Sequence, residues 1–408
     1  MNRLRALLGV DWLFILACIA ILAWSIVWLM YLAAFIYGKV HLHGTVTVDG
    51  EKSCLPGVSI TKPLGSSDDP NLAENLSSFF QLDYPKYELL FCIQDRTSTD
   101  LIELVNGLIA KHPLVDARVF IGAQNAVINP KVNNMLNAYD QAKYPLFMIS
   151  DAGIKTQPDA LTDMVNHMTD KVGIVHQVPV MCDGDLRFSR QVEQLWFGGA
   201  QARVYMAANA FGVNCLTSMS CIFRKKILDE EGGLRSLGCY LGEDYFLAQV
   251  IINKGWRLVL CSQPALQNPG LSSIKSYQAR MSRWMYLRHT QVPILILLEP
   301  LQEHIFLGPF TALAVYYMFS IQPYIFLPLH FLSWLIADYI LLTVMQNKRP
   351  AFSIFSYSKA WFFRELSPLY LIPRTMSTKY VVWAGKKFLV RYGGTAEHAH
   401  EQKKVCQM

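Results

Sequence analysis

The stretch Tyr87-Glu88-Leu89-Leu90-Phe91-Cys92-Ile93-Gln94, closed by Asp95, decides the fold. A short, nearly continuous apolar run that ends in a turn residue reads as a strand buried on both faces, the kind found in parallel sheets. Similar runs lie on either side of it: Val58–Thr61, Ala117–Ile121, Leu146–Ser150 and Gly173–Val178. Helix-like runs alternate with them near Asn71–Phe80, Asp100–Lys111, Asn129–Lys143 and Pro158–Asp170. Strands alternating with helices predict an α/β domain, a mostly parallel sheet covered by helices.

In such a sheet, ligands bind outside the carboxyl ends of the strands. Asp95 follows one predicted strand and Asp151 another, so both belong to the same rim. Taken singly each is an ordinary turn residue. At matched positions they suit a site in which one carboxylate meets a sugar or base hydroxyl and the other a hard metal ion. Lys62, ending the first strand on that rim, and Lys131 are candidate cations for a phosphate; simple solvation is the alternative for both.

Farther along, Gly242-Glu243-Asp244-Tyr245 opens a helix-like run to Lys254, followed by a strand-like Arg257–Cys261 and a second helix from Ser272. That second helix carries Arg280-Met281-Ser282-Arg283-Trp284. A carboxylate such as Asp244 can take a proton from an attacking hydroxyl. Two guanidinium groups can hold a departing phosphate in fork geometry.

The apolar residues, 52% of 408, concentrate at the two ends of the chain. Trp12–Tyr37 holds no charged residue, and at ~1.5 Å per residue it exceeds a ~30 Å hydrocarbon core. It reads as a retained anchor (residues 10–38) rather than a signal peptide. Arg3 and Arg5 before it, against Lys39 after it, weakly favour a cytosolic N-terminus. A catalytic unit over residues 50–290 follows, then membrane or interfacial helices over 291–373 and a basic soluble tail over 374–408. Within the third unit Val292–Leu298 reads as an interfacial piece, and Ile305–Tyr317 and Tyr324–Met345 as spans. Ala351–Pro373 is ambiguous because Arg364 and Glu365 lie inside it. Ser189–Phe223, apolar but broken by Arg190, Glu193, Arg203 and Gly212, reads as an amphipathic or membrane-dipping helix where a lipid would enter. A net charge of +6 without a dense basic stripe excludes nucleic acid as partner. Nine scattered cysteines without a CxxC fit a reducing compartment.

The three aspartates with Arg280-x-x-Arg283-Trp284 resemble the signature of inverting nucleotide-sugar transferases, which include cellulose, chitin and hyaluronan synthases. The segments Leu55–Leu64, Asp69–Asp95, Val115–Gly122, Ile128–Asn134, Leu161–His176, Gly242–Ala248, Gly255–Arg257, Ser273–Trp284 and Gly393–Glu397 resemble the ceramide glucosyltransferase family. The resemblance implies a GT-A-type domain that takes UDP-glucose, glucosylates the primary hydroxyl of ceramide with inversion, and works at the bilayer of the Golgi with its catalytic domain facing the cytosol. On it, Asp95 holds the uridine part and Asp151 faces the diphosphate and a weakly held Mg²⁺ or Mn²⁺. Asp244 is the base with Glu243 beside it, Arg280 and Arg283 embrace the diphosphate, and Trp284 floors the acceptor pocket. Gln201 stands where vertebrate-type members carry a histidine, so no essential proton role is expected there. Cys215 matches a family cysteine and is expected to line the site without reacting. Two alternatives are a processive polysaccharide synthase, which needs a larger helix bundle, and a membrane scaffold that keeps the fold without catalysis.

Overall fold

The computed structural model describes residues 11–47, 54–184, 186–213, 215–270 and 272–399; Arg3 and Arg5 lie outside them. In chain order the elements begin with α1 (Trp12–His41), β1 (Val58–Leu64), α2 (Leu72–Phe79), β2 (Tyr87–Ile93), α3 (Thr99–Lys111), β3 (Asp116–Ile121), α4 (Pro130–Asp140) and β4 (Leu146–Ser150). They continue with β5 (Ile154–Lys155), α5 (Ala160–Asn166), β6 (Val172–His176), β7 (Pro179–Met181), α6 (Phe188–Leu195), a π-helical turn (Trp196–Gln201), α7 (Ala202–Ala210) and β8 (Ser220–Arg224). After α8 (Lys225–Asp229) come α9 (Glu243–Asn253), β9 (Arg257–Leu260), β10 (Ala265–Gln267), α10 (Ile274–Gln291), α11 (Leu295–Leu298), α12 (His304–Phe319), α13 (Pro323–Gln346) and α14 (Ile354–Met376). Three short strands close the described chain: β11 (Val381–Trp383), β12 (Lys386–Val390) and β13 (Ala396–His398).

Seven strands form the central sheet in the order β3-β2-β1-β4-β8-β6-β9. Every pairing is parallel except those of β8, which runs against both β4 and β6. The alternation along β2 divides its side chains between two cores. Leu89, Phe91 and Ile93 pack with Phe79, Leu101 and Leu161 on one face; Leu90 and Cys92 pack with Val132, Leu136 and Leu247 on the other. A strand buried on both faces has no polar position to spare, which is why its sequence is so uniformly apolar.

The expectation of a single amphipathic element over Ser189–Phe223 does not hold. The segment divides into α6, the π-helical turn and α7, and its end is the interior strand β8. The interrupting charges are used inside the protein: Arg190 donates to the carbonyls of Pro269 and Cys182 at 3.0 and 3.1 Å, and Glu193 pairs with Arg280. The run from Arg374 is also not a free tail. It completes α14 and then forms the three-stranded sheet β11-β12-β13 against the catalytic unit.

Two helices, α1 and α13, are long and apolar enough to cross a membrane; α12 is apolar but shorter. They pack together around Tyr31, Trp334, Leu341, Tyr357 and Trp361. Outward they present Leu16, Ile19, Leu22, Ile26 and Leu29 on α1 and Leu329, Leu332, Ile336 and Ile340 on α13, all exposed. Exposed apolar stripes of this size mark contact with lipid or another protein. Both ends of the bundle are aligned by polar contacts. Tyr317 Oη donates to Asp11 at one end, 2.6 Å, and the His43 ring meets the Met345 carbonyl at the other, 3.0 Å.

α14 is amphipathic rather than uniformly apolar. It exposes Phe355, Phe362, Leu366 and Leu369 and buries Tyr357, Trp361, Arg364 and Glu365. Arg364 settles the ambiguity of its segment. It pairs with Glu365 on its own helix, with Asp338 Oδ2 on α13 at 2.5 Å, and donates to the Leu195 carbonyl at 3.1 Å. Asp338 also accepts from Tyr31 Oη at 2.5 Å and Trp361 Nε1 at 2.8 Å. The Leu195 carbonyl sits at the entry to the π-helical turn, where the wider winding leaves a backbone oxygen for an outside donor. Gly198 and Gly199 make this approach possible: a Cβ on Gly199 would stand 2.7 Å from Arg364 Nη1, and one on Gly198 would stand 2.4 Å from Leu342.

Candidate active site

The rim formed by the carboxyl ends of β1, β2 and β4 gathers most of the predicted residues. Because β8 is antiparallel, its amino end arrives at the same rim, and Asp151 N–H donates to the Met219 carbonyl at 2.9 Å. Ser218, one residue earlier, thereby comes next to the acids. α4 begins beside them, capped by Asn129, whose Oδ1 accepts from the backbone N–H of Lys131 and Val132 at 2.8 and 3.2 Å. A capped first turn with Pro130 at its start fixes where Lys131 projects.

Lys131 is the hub. Its ammonium meets Asp151 Oδ1 at 2.9 Å, Glu243 Oε1 at 3.1 Å and Ser218 Oγ at 3.0 Å. Burial opposes its charge, but Asp151 and then Glu243 outweigh it and hold its pKa above the usual lysine range. Glu243 is buried and receives Asn129 Nδ2 at 3.1 Å, so it acts as an internal anchor for the hub. Asp244, next to it in the first turn of α9, is half-buried. Burial first and the Glu243 charge second push its pKa up to about 6, against the pull of Lys131 and of backbone N–H groups. A carboxylate poised near neutrality, with no salt bridge of its own among the described residues, suits proton abstraction.

Lys62 stands beneath the site and does not face it. It is fully buried, donating to the Asp151 carbonyl at 2.7 Å and Ser150 Oγ at 3.1 Å, with the Phe79 ring 3.9 Å away. Burial lowers its pKa to about 7, with Asp151 opposing. Its visible work is to hold the backbone turn that aims Asp151. Asp95 stands exposed at the far side of the rim, its pKa held down by the Thr97 N–H, 2.9 Å away. It lines a cavity of about 540 Å³ together with Arg96, Gly122 and Asn125.

On α10, capped by Ser273, Arg280, Arg283 and Trp284 share one face through their three- and four-residue spacing. Arg283 is lowered by burial and by Arg280, with Asp151 raising it; it remains a cation. Arg280 turns toward α6, pairing with Glu193 at 2.6 Å. Its guanidinium lies 5.5 Å from the Trp284 ring and 5.6 Å from Phe197. Trp196 stacks obliquely on Trp284 at 5.4 Å, so the π-helical turn and α10 build one aromatic wall. Near Asp244, Tyr205 Oη donates to the Leu216 carbonyl at 3.1 Å. Burial pushes the Cys215 thiol up to about 11, which keeps it neutral.

Ser218 is not a candidate in the sequence, and Glu193 reads there only as a charge interrupting an apolar segment. Glu193 carries no local signal, because its partner is 87 positions away.

A divalent cation would find Asp151 here, already in contact with Lys131 through one oxygen; Ala152 and Gly153 follow it, so no second acid adjoins it in sequence, and Glu243 is engaged by Lys131 and Asn129. This donor set fits a cation that brings most of its oxygens with the substrate. His304, Asp338 and Glu365 also converge inside the bundle, but Arg364 supplies the positive charge there, and the cluster fits an ion-pair pin rather than a metal.

A family model described as glycosyl transferase family 21 matches residues 26–396. The chain is 36% identical over 408 residues to ceramide glucosyltransferase 1 of Caenorhabditis elegans, covering 99% of this chain and 86% of that one. It is 37% identical over 369 residues to ceramide glucosyltransferase 3 of the same organism, covering 90% and 79%. A mannosyltransferase of Pyrobaculum calidifontis, solved with GDP-Man and Mn²⁺, aligns over 89% of this chain and 99% of that one, at 16% identity and a TM-score of 0.49.

Proposed function

The chain belongs to glycosyl transferase family 21, and from that premise we propose that it transfers glucose from UDP-glucose to the primary hydroxyl of ceramide. The supporting observation is the placement of Asp244: a carboxyl tuned to about 6, beside Glu243 and within the field of Lys131, the hub that also holds Asp151. The acceptor oxygen attacks the anomeric carbon as the bond from that carbon to the UDP oxygen breaks. The hydroxyl proton passes to Asp244, and the electron pair leaves with UDP. Arg280 and Arg283 stabilise the charge that develops on the diphosphate. One displacement inverts the centre and yields a β-glucoside. Asp151 would hold Mg²⁺ or Mn²⁺, which supplies further charge stabilisation to the leaving group.

A lipid acceptor explains the apolar bundle beside the site. Drawing a ~15-methylene chain into water costs about 12 kcal/mol at ~0.8 per CH₂, so the hydroxyl is best met at the bilayer surface. The test is direct: membranes containing the protein, UDP-glucose and ceramide should yield glucosylceramide whose anomeric proton coupling is that of a β-linkage. An α product or a polymer would overturn the reading, and UDP binding without transfer would point to a scaffold. With the metal held mainly by substrate, chelation should leave part of the activity and added Mg²⁺ or Mn²⁺ should stimulate modestly. A stoichiometric ion surviving dialysis of the substrate-free protein would contradict this role of Asp151.

The topology follows from the donor, a cytosolic metabolite. Residues 50–290 face the cytosol, the N-terminus lies in the Golgi lumen against the weak charge signal of Arg3 and Arg5, and α12 and α13 form a hairpin that returns Asn347–Arg349 to the cytosolic side. The contact between His43 and Met345 supports this, since it brings the domain-proximal ends of α1 and α13 together. Protease added to sealed, right-side-out Golgi vesicles should cleave residues 50–290; protection of that region would refute the placement.

A further inference from the structure

We infer that the C-terminal sheet β11-β12-β13 is a wall of the donor pocket, and that Lys386 and His398 contact the nucleoside diphosphate. The inference deepens the proposed function and rests on its reading of a UDP-sugar donor. The cavity that Asp95 lines on one side is closed on the other by Ala384, Lys386 and His398. Strand alternation explains why these side chains point inward. Lys386, Phe388 and Val390 share one face of β12 by their period of two, and Phe388 and Val390 on that face are buried against Leu241 and Leu287 of the catalytic unit. His398 pairs with Phe388 across the ladder, its ring 5.1 Å away. Lys386 and His398, themselves exposed, continue the face that buries Phe388 and line the cavity, while Lys387 and Glu397, also exposed, take the opposite face.

The sheet is fastened at several points to the segments that carry the chemistry. Ala396 N–H donates to the Cys239 carbonyl at 2.8 Å, Gly393 N–H to that of Thr290 at 2.9 Å, and Tyr240 and Thr395 form an isolated antiparallel bridge. Gln291 of α10, next to the Thr290 that the sheet engages, in turn donates from Nε2 to the Gly242 carbonyl at 3.1 Å, just before Glu243 and Asp244. The Arg283 guanidinium lies 5.6 Å from the Trp383 ring. The hairpin between β11 and β12 turns at Ala384 and Gly385, both at positive φ (49° and 72°), and its tip is what reaches the cavity. Lys386 has no acidic partner among the described residues, which leaves its ammonium available to an anionic ligand.

The ligand class is a nucleoside diphosphate: the cavity offers one carboxylate, Asp95, with Arg96 beside it, and the Lys386 ammonium and His398 ring from the C-terminal sheet. UDP itself is the probe. Full-length protein carrying Lys386→Ala with His398→Ala should bind UDP about tenfold more weakly, the loss of one charge-assisted contact. The KM for UDP-glucose should rise in parallel, while kcat and the KM for ceramide stay within about twofold, the pattern of a lost uniform binding contact. Lys387→Ala, which removes a neighbouring cation from the outer face, should leave UDP affinity unchanged. Unaltered UDP affinity in the double variant would overturn the inference, and so would an equal loss in Lys387→Ala or a fall in kcat at constant affinity. Failure of the proposed function would look different, as a wild-type protein that neither binds UDP nor transfers glucose.

Discussion

Asp244→Asn should reduce glucosyl transfer by about 10²–10⁴-fold, the span expected when a positioned general base is removed, while UDP affinity changes little. The substitution keeps the shape of the side chain and removes only its ability to take the proton. Its pH signature has a definite sign. Asp244 must be ionised to accept a proton, and its pKa sits at about 6. In the wild type, kcat/KM should be level above that value and fall tenfold per unit below it. The asparagine variant should lack this limb. Stability runs the other way for this group. Because its folded pKa lies above the ordinary aspartate value, its favourable contribution is present at acid pH and is lost as pH rises through about 6. At neutral pH, the neutral asparagine should therefore be tolerated as well as the native carboxylate. Retention of more than a tenth of wild-type activity, or an acid limb that persists, would assign the base elsewhere.

Arg364→Met should destabilise the protein by about 3–5 kcal/mol, the cost of breaking a buried ion pair from one side. Native stabilities are only ~5–15 kcal/mol, so the variant should be recovered in low yield and melt several degrees lower. The cause is local: Asp338 and Glu365 would stay buried without their guanidinium, and the Leu195 carbonyl would lose its donor. Adding Asp338→Asn to Arg364→Met should restore part of the loss, since removing both charges is milder than stranding one. A single variant as heat-resistant as the wild type would show that the bundle does not depend on this pin.

Several parts of this architecture were legible in the sequence. β2, β4 and β6 announce themselves by uncompromised apolar runs, and the aspartates that follow β2 and β4 mark the rim because a parallel sheet leaves its ligands there. β8 was not legible. Ser220–Arg224 is as short and apolar as the other strands, but it follows a mixed helical segment, and periodicity cannot separate a buried strand from part of a buried helix over five residues. The C-terminal sheet reads as a soluble tail in the sequence because its strands are short and rich in lysine, features that protect edges. For Lys62 the sequence gives the correct rim but not the level, since it shows the strand end and not the depth at which the fully buried ammonium lies. Glu193 and Ser218 join the site only through pairings between distant segments. The charges within α14 were legible as a problem, and their partners on α13 and at Leu195 were not.

The partners of α1 have a consequence for how the chain is made. Tyr31 is satisfied by Asp338 and Asp11 by Tyr317, contacts that span 307 and 306 positions. At ~5–20 residues per second, α1 leaves the ribosome roughly 15–60 s before the helices that complete it exist. For that interval the Trp24 indole, which later meets the His330 ring at 3.1 Å, faces lipid or an insertion factor, and the Tyr31 hydroxyl waits first for Arg203, 172 positions on and 2.8 Å away, and then for Asp338. Assembly of the bundle is therefore a late, post-insertion event, and a chain that stalls before α13 should be recognised as an orphaned anchor by membrane quality control.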